Sequence, residues 1–436
     1  MAWSVAIKTA KQKVFSDQIT RLLFSSIREN MSSCPHARNF HWVPVPTAKA
    51  SHLHGQEQDD FQHLMLEFTD PQPGGVKVGQ AAKILDNVCS PERLVEGINK
   101  LTSGHSSVGI LFNNFDGDVI GNWGREGAAQ AWKAYLKGFG NLYCDSRNEG
   151  RIAKGRLNGE RIVFVGMLDT DDLQQKALAL AAEKREVEAS KKLSALVTEH
   201  SLRLTNLVKE ISRTSLECLF VLSGGDNAVY ACAKAVKAQD NDVLLLRLDR
   251  HMDERDLSLR SDPQKASTEL HPHSGNGVTH AKLERLIKYD FLIGCDYEHN
   301  NDQCIRNSQR FSQTCLTSVI TMEEMRFDPK NFIDGVITEI KEIMKENSHV
   351  DVIVNIDCDT LNGIPSSAET FTGGLDPMWG CYLLKVLSRL PRLPKIIRIA
   401  ELHYCGDEQR QRIAIDFAAE IVKSGVKAIQ EIIHSK

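Results

Sequence analysis

Five residues with metal-binding side chains stand at alternate positions in two short runs, and each run follows an apolar stretch. They are Asp249, His251 and Asp253 in the first run, and Asp357 and Asp359 in the second. In extended backbone, side chains two residues apart project to the same side. Each run would therefore present its metal-binding groups together at the end of a strand.

The charge of these carboxylates implies a counter-ion. Four carboxylates at the ends of apolar strands would repel one another and lose hydration unless they were paired. Two divalent cations would neutralise their four negative charges. Oxygen ligands with one imidazole suit an ion such as Mn²⁺. A pair of such ions can hold a bridging hydroxide and orient a polar substrate.

A third run, Ser-Gly-Gly-Asp-Asn at residues 223–227, follows the apolar run Leu219–Leu222 and predicts a tight turn from a strand into a helix. Two aspartates at a single strand end are more commonly a helix cap or salt-bridge partners, which is the structural alternative to a metal site. The three runs together favour the metal site.

The elements that must position these runs alternate along the chain from residue 106. Eight short apolar runs are predicted strands: Val108–Phe112, Ile162–Gly166, Leu216–Leu222, Val243–Leu248, Phe291–Gly294, Ser318–Thr321, Val350–Ile356 and Ile396–Ala400. Helices are predicted between most of them: Asn227–Ala238, Thr279–Lys288, Asn331–Lys345, Pro377–Arg389 and Gln409–Ile433. This alternation indicates a parallel sheet covered on both faces. The predicted fold class is α/β, with three α/β/α layers and a mostly parallel sheet of about eight strands.

In such a sheet, ligands collect outside the carboxyl ends of the strands, where the three runs stand. The charged stretch Asp171–Ser212 predicts two surface helices or one kinked helix, with a coiled coil as the alternative.

Composition excludes several classes of function. The net charge of −4 gives no basic field for nucleic acid, and no run of about 18 apolar residues predicts a membrane span. The eleven cysteines are scattered without a CxxC pair, which is typical of free thiols in a reducing compartment. We therefore expect a cytoplasmic protein. The alternative is organelle targeting by a basic helix in the first thirty residues.

The runs resemble the ureohydrolase superfamily, which includes arginase, agmatinase and formimidoylglutamase. Gly224–Asn227 resembles the GGDH motif of that family, and the later runs resemble its DxHxD and DxD motifs. Glu401 matches an acidic residue after the last core strand. The run His273–Gly277 (His-Ser-Gly-Asn-Gly) and the Ser-Ser-Ala at residues 366–368 resemble the formimidoylglutamase type most. The resemblance covers residues 106–436 and implies one catalytic domain with the arginase-like fold. Residues 1–105 are left as an N-terminal extension of unknown role.

The resemblance also implies a reaction, its cofactor and its residues. A hydroxide between two Mn²⁺ ions would attack an amidine or guanidine carbon of a small substrate, and the protein would form a homo-oligomer. Asp253 would also move the proton, while Ser274 and Asn276 would line the substrate pocket. The implied metal ligands are Asn227, Asp249, His251, Asp253, Asp357 and Asp359.

Two residues depart from the family pattern. Asn227 stands where most members have a histidine ligand, and its neutral amide oxygen predicts one weaker metal site. Trp379 stands where we expect a glutamate that binds the guanidinium of arginase substrates, so its indole could stack on an amidine or simply belong to the core. Three functions follow: a formimidoylglutamase-like amidine hydrolase, a guanidine hydrolase that releases urea, or a catalytically weakened homologue with a binding or regulatory role.

Overall fold

A computed structural model describes residues 41–43, 76–85, 88, 90–145, 156–258, 270–367 and 373–435. The first thirty residues, where the sequence allows a basic helix, lie outside these ranges.

The described residues contain thirteen strands, most of which belong to one large sheet. The strands are β1 (Trp42–Val43), β2 (Val76–Lys77), β3 (Lys83–Ile84), β4 (Ser107–Phe112), β5 (Tyr143–Asp145), β6 (Leu157–Asn158), β7 (Ile162–Leu168), β8 (Leu216–Leu222), β9 (Asp242–Leu248), β10 (Ile287–Cys295), β11 (Leu316–Thr321), β12 (Val350–Asp357) and β13 (Ile396–Ala400). The large sheet has the order β1-β7-β4-β8-β13-β12-β9-β10-β11, and β3 also pairs with β7. Strands β2, β5 and β6 form a small second sheet.

All described pairings in the large sheet are parallel except that of β1 with β7. The eight longer strands coincide with the eight predicted strands, so the predicted parallel α/β sheet is confirmed. Residues before position 106 also reach this sheet. Strands β3 and β1 pair with successive parts of β7, and the indole Nε1 of Trp42 donates to the carbonyl of Val165 over 2.9 Å.

Thirteen α-helices in the described residues cover the sheet. They are α1 (Val78–Ala81), α2 (Pro91–Thr102), α3 (Gly117–Gly121), α4 (Trp132–Phe139), α5 (Asp171–Leu180), α6 (Val187–Ile211), α7 (Ala228–Lys237), α8 (Gly277–Leu283), α9 (Asp302–Phe311), α10 (Met322–Phe327), α11 (Pro329–Glu346), α12 (Met378–Val386) and α13 (Glu408–Ser435). None of the described helices is long and apolar enough to cross a membrane.

The two largest apolar clusters of the described residues lie on opposite faces of the sheet, which confirms the three-layer arrangement. Alternate residues of the strands point to opposite faces. In β4, Ile110 packs in the core formed with α4, α11, α12 and α13, whereas Leu111 packs in the core formed with α2, α6, α7 and α8. The long strands are therefore buried on both sides, which is why they read as continuous apolar runs.

Two helical predictions need adjustment. The helix predicted to run to Lys288 ends at Leu283, because Arg285 adopts a left-handed conformation and β10 begins at Ile287. The charged stretch forms two helices, α5 and α6, separated by a turn around Ala181–Glu183. One face of α6 is buried against its neighbours, so it belongs to the three-layer fold as well as to the surface.

Candidate metal centre

The strand order brings the acidic runs together. Strands β8, β13, β12 and β9 are consecutive neighbours in the sheet. All four are parallel, so their carboxyl ends meet at one edge with neighbouring strands about 4.8 Å apart. The residues that follow them are Asp226 and Asn227 after β8, Glu401 after β13, Asp357 and Asp359 at and after β12, and Asp249, His251 and Asp253 after β9.

The turn after β8 requires its glycines. Gly224 has a φ of 78°, which favours glycine. A side chain on Gly225 would collide with the carboxylate of Asp118. This close approach lets the backbone N–H of Asn227 donate to Asp118 over 3.0 Å. The predicted tight turn is confirmed, and it delivers Asp226 and Asn227 to the edge of the sheet.

The acidic side chains form three overlapping groups in which the ligand atoms lie within 4.8 Å of one another. The groups are Asp249, His251 and Asp359; Asp226, Asp249, Asp253 and Asp357; and Asp357, Asp359 and Glu401. His251 Nδ1 is 3.0 Å from a carboxylate oxygen of Asp359. Five of the six predicted metal ligands therefore meet in one cluster, joined by Asp226 and Glu401.

Three buried side-chain oxygens at this edge of the sheet have no hydrogen-bond partner among the described residues. The side-chain amide of Asn227 donates to the hydroxyl of Ser201 over 2.9 Å, which fixes its orientation, and its buried Oδ1 has no hydrogen-bond partner. One carboxylate oxygen each of Asp226 and Asp249 is in the same condition. Buried polar atoms normally have partners. Divalent cations would supply them, so this donor set fits two ions.

Burial and mutual repulsion perturb these groups. Burial raises the pKa of Asp249 to about 8, and the charges of Asp226 and Asp359 add to the effect. Burial also raises the pKa values of Asp253, Asp357 and Glu401 well above the ordinary range. The cluster cannot therefore be fully ionised near neutral pH unless cations replace its protons.

The metal-free protein is expected to lose stability as the pH rises from about 5 to about 8. Burial raises the pKa of Asp116 to about 7 and that of Asp118 to about 6, alongside the value of about 8 for Asp249. In this range the folded state binds more protons than the unfolded state, so its advantage disappears as those protons leave. The melting temperature measured in chelator should fall by more than about 3 °C as the pH rises from about 5 to about 8. Saturating Mn²⁺ should reverse most of this fall.

The control for this measurement is Asp416→Asn on the exposed face of α13. This variant should show the same fall in melting temperature with pH as the native protein. A melting temperature of the metal-free protein that stays constant or rises across this range would contradict the expectation.

Two buried arginines within strands of the sheet contact the acidic residues of the cluster and the backbone of the segments that carry them. Arg398 of β13 donates to Asp226 and to Asn355, each over 2.7 Å, and also to the carbonyl of Gly225. Burial alone would raise the pKa of Asp226, but the charge of Arg398 together with hydrogen bonds from Asp253, Asn355 and Arg398 holds it below the ordinary value. Arg247 of β9 lies 3.7 Å from Asp249 and donates to the carbonyl of Met252 over 2.8 Å. Each arginine thus fixes one acidic run.

Arg247 is itself part of a buried ion network. Its guanidinium binds Asp290 over 3.0 and 2.9 Å, and Lys282 binds Asp290 and Glu254 over 2.8 and 2.9 Å. All four side chains are at most 1% exposed. Breaking a buried ion network leaves uncompensated charge. The network therefore fixes the segment that carries Asp253, which precedes Glu254.

A cavity of about 410 Å³ opens above the cluster. His251 and the carboxylates of Asp253, Asp357, Asp359 and Glu401 line its base together with Ser274 and Ser367. Its other polar lining includes Asn122, Arg125, Arg185, Arg255, His299 and Asn300. A small polar molecule of amino-acid size fits this volume.

The structure separates the three predicted substrate residues. Ser274 lines the cavity and accepts a hydrogen bond from Asn122 over 3.2 Å. Asn276 is fully buried away from the cavity, because its amide holds its own loop through the carbonyls of Asp256 and His271. Trp379 lies on α12, packs edge-on against Tyr382 at 5.7 Å and does not line the cavity. Its core interpretation is the one that agrees with this placement.

Sequence reasoning missed several residues of the site. Asp226 and Glu401 belong to the acidic cluster although neither was among the predicted ligands. A signal existed for the two supporting arginines, since Arg247 and Arg398 each interrupt an apolar strand. A charge that is buried in a strand needs a buried partner.

The chain matches the model of the Arginase family over residues 107–424, which is well over half of its length. Formiminoglutamase of Trypanosoma cruzi, solved with Mn²⁺, is 14% identical, with 81% of this chain and 98% of that chain covered and a TM-score of 0.55. Formimidoylglutamase of Bacillus subtilis is also 14% identical, with 83% and 94% covered and a TM-score of 0.58.

Proclavaminate amidino hydrolase of Streptomyces clavuligerus is 16% identical, with 74% and 93% covered and a TM-score of 0.52. At these identities, the solved structures establish a shared fold. A comparison with curated protein sequences finds no match. The family match and the shared fold agree with the resemblance noted in the sequence: this chain belongs to the arginase family.

Proposed function

We propose that this protein hydrolyses the C–N bond of a linear amidine, with N-formimidoyl-L-glutamate as the substrate and glutamate and formamide as the products. The observation that carries the proposal is the buried cluster of carboxylates and His251 at the base of an open cavity. Membership of a hydrolase family supports the reaction type. The similarity to the fold of two formimidoylglutamases supports the choice of an amidine.

Two Mn²⁺ ions are the proposed cofactors, and their role would be to lower the pKa of a water molecule and to polarise the amidine. The proposed ligands are Asn227, Asp249, His251, Asp253, Asp357 and Asp359. The buried side-chain oxygens of Asn227 and Asp249 that accept no hydrogen bond support this assignment. Because Asn227 offers a neutral amide oxygen where imidazole would bind more strongly, we propose that one ion is held more weakly than the other.

Asp253 is the proposed proton carrier. It is buried against other carboxylates, which raises its pKa well above the ordinary range, and it adopts a left-handed conformation with a φ of 50°. Strained backbone at a non-glycine residue is common in active sites. A carboxylate with a raised pKa can accept a proton from the attacking water and pass it to the nitrogen that leaves with glutamate.

Glu401 is the proposed partner of the amidinium. It is buried on the cavity wall, close to Asp357 and Asp359, and has a left-handed backbone with a φ of 59°. A carboxylate there can accept hydrogen bonds from the amidinium N–H groups and hold the reacting carbon over the cluster. The family resemblance places such a carboxylate at the position of Trp379, and Glu401 would supply it instead.

The test is turnover by the Mn²⁺-loaded protein on a panel of amidino and guanidino acids, with formamide, ammonia and urea measured separately. Formamide release from formimidoylglutamate would support the proposal. Urea release would favour the guanidine hydrolase, and binding without turnover of any compound would favour the weakened homologue. Metal analysis during dialysis against a chelator should show one ion lost before the other. Equal retention of both ions would contradict the weak site.

A further inference from the structure

The cavity has opposite charges at its two ends. Its acidic groups are at the base, and Asp253, Asp357 and Glu401 are all buried. Three arginines line its outer part: Arg125, Arg185 and Arg255. Arg125 and Arg185 are exposed and form the mouth, whereas Arg255 is half-buried and lies deeper. With the four ligand carboxylates neutralised by two cations, Glu401 at the base still suits a cationic amidine. The arginines at the mouth would repel a second cation and attract an anion.

Arg185 comes from the segment that joins α5 to α6, and this segment is fixed to the cavity wall. The ammonium of Lys184 donates to the carbonyls of Gly124 and Trp123 over 2.8 and 3.3 Å. The indole Nε1 of Trp123 donates back to the carbonyl of Lys184 over 3.2 Å. The guanidinium of Arg185 then lies over the ring of Trp123 at 5.2 Å. We call these contacts the Trp123 clasp.

The Trp123 clasp stabilises a backbone conformation that is otherwise unfavourable. Trp123 has a φ of 67°, which is uncommon for a bulky residue. Such a conformation costs free energy and persists where surrounding contacts enforce it. Stacking on the indole also restricts the Arg185 guanidinium, so less entropy is lost when it binds an anion.

Arg255 is held on the same wall by a second set of contacts. Its Nη1 donates to Asn122 Oδ1 over 2.7 Å, and its backbone N–H donates to the carbonyl of Gly275 over 3.1 Å. The Asn122 amide donates in turn to Ser274 over 3.2 Å. Residues 122–124 therefore connect Arg255, which is half-buried, to Arg185, which is exposed.

We propose that Arg185 is a specificity-determining residue that binds the carboxylate most distant from the scissile C–N bond. Arg255, deeper in the cavity, binds the carboxylate adjacent to the amidine nitrogen. This inference rests on the proposed function and names its substrate class as an amidino dicarboxylate. Guanidinium groups pair well with carboxylates, often through two hydrogen bonds. Amidines with a neutral or cationic tail are bound weakly.

The test is Arg185→Gln, assayed on formimidoylglutamate and on formimidoylglutamine, which differ only in the distal charge. The KM for formimidoylglutamate should rise about 5- to 50-fold, with kcat changed less than about twofold. The KM for formimidoylglutamine should be high in the native protein and unchanged in the variant. Arg185→Lys retains the charge but not the planar fork of the guanidinium. Its KM for formimidoylglutamate should lie between those of the native protein and Arg185→Gln. Arg213→Gln, an exposed arginine after α6 and outside the cavity lining, is the matched control.

A binding measurement separates this inference from the proposed function. Calorimetric titration of the Mn²⁺-loaded protein with glutarate should show binding that weakens about 5- to 50-fold in Arg185→Gln and weakens with added salt in the native protein. If no amidine is hydrolysed but the binding of glutarate still depends on Arg185, the proposed function fails and the inference stands. If formimidoylglutamate is hydrolysed and Arg185→Gln changes neither its KM nor glutarate binding, the inference is overturned and the function stands.

Discussion

Replacing Asp253 by asparagine is expected to lower kcat about 10²- to 10⁴-fold, which is the range for loss of a positioned acid or base. Asparagine is nearly the same size and keeps an oxygen that can bind a cation, but it cannot accept a proton. The same change should not damage the fold. Burial and the neighbouring carboxylates destabilise the charged form of Asp253, as its raised pKa indicates. A neutral side chain there should raise the melting temperature of the metal-free protein near pH 8.

The assay must separate proton transfer from metal binding, because Asp253 belongs to the same group as Asp226, Asp249 and Asp357. Turnover should therefore be measured along a Mn²⁺ titration that reaches saturation, with bound metal quantified. Asp416→Asn on the surface of α13 is the matched control and should retain native kcat. If Asp253→Asn retained more than about a tenth of native kcat at saturating Mn²⁺, another group would carry the proton.

Much of the fold was accessible from the sequence, because the sheet is parallel and buried on both faces. Strands of that kind are continuous apolar runs, and β8, β9, β12 and β13 could each be located from their Leu, Ile and Val content. The two-residue strands β1 and β3 could not, since two residues carry no periodicity. Their place beside β7 depends on non-local pairing.

The site was predictable only in part, for a related reason. Asp249 and Asp359 can be identified from the alternate spacing of metal-binding residues within their own runs. Glu401 has no such partner in sequence, and it joins the cluster because β13 lies between β8 and β12 in the sheet. The sequence resemblance could mark Glu401 as a match, but only the strand order makes it a neighbour of Asp357.

Contacts of single side chains explain why Asn276 does not line the cavity and why Arg185 could not be predicted to matter. Asn276 carries a polar side chain in a loop beside the cavity, yet it contributes no lining because its amide is used to hold that loop. Arg185 had no signal in the sequence, since it stands among other charged residues between two helices. Its relevance depends on Trp123, which is sixty-two positions earlier in the chain.

Arg398→Met is the substitution with the largest expected effect on stability, a loss of about 3–5 kcal/mol in the free energy of unfolding. Methionine fills similar space but removes the charged donor that Asp226 and Asn355 share, in a place with no access to water. Asp226 would retain the hydrogen bond from the Asn355 amide. Metal binding should weaken as well, because Asp226 belongs to the acidic cluster and its pKa would rise without the charge of Arg398. Urea unfolding at a fixed Mn²⁺ concentration measures the first effect, and metal titration measures the second.

The control that makes this result interpretable is Arg389→Met. Arg389 also pairs with an aspartate over 2.7 Å, but its side chain is 50% exposed, so the loss should stay below about 1 kcal/mol. The double variant Arg398→Met with Asp226→Asn should recover part of the stability, because it removes the charge that the first change leaves unpaired. Were Arg398→Met no more harmful than Arg389→Met, the strand arginines would not be what holds the acidic residues in place, and the cluster would depend on its cations alone.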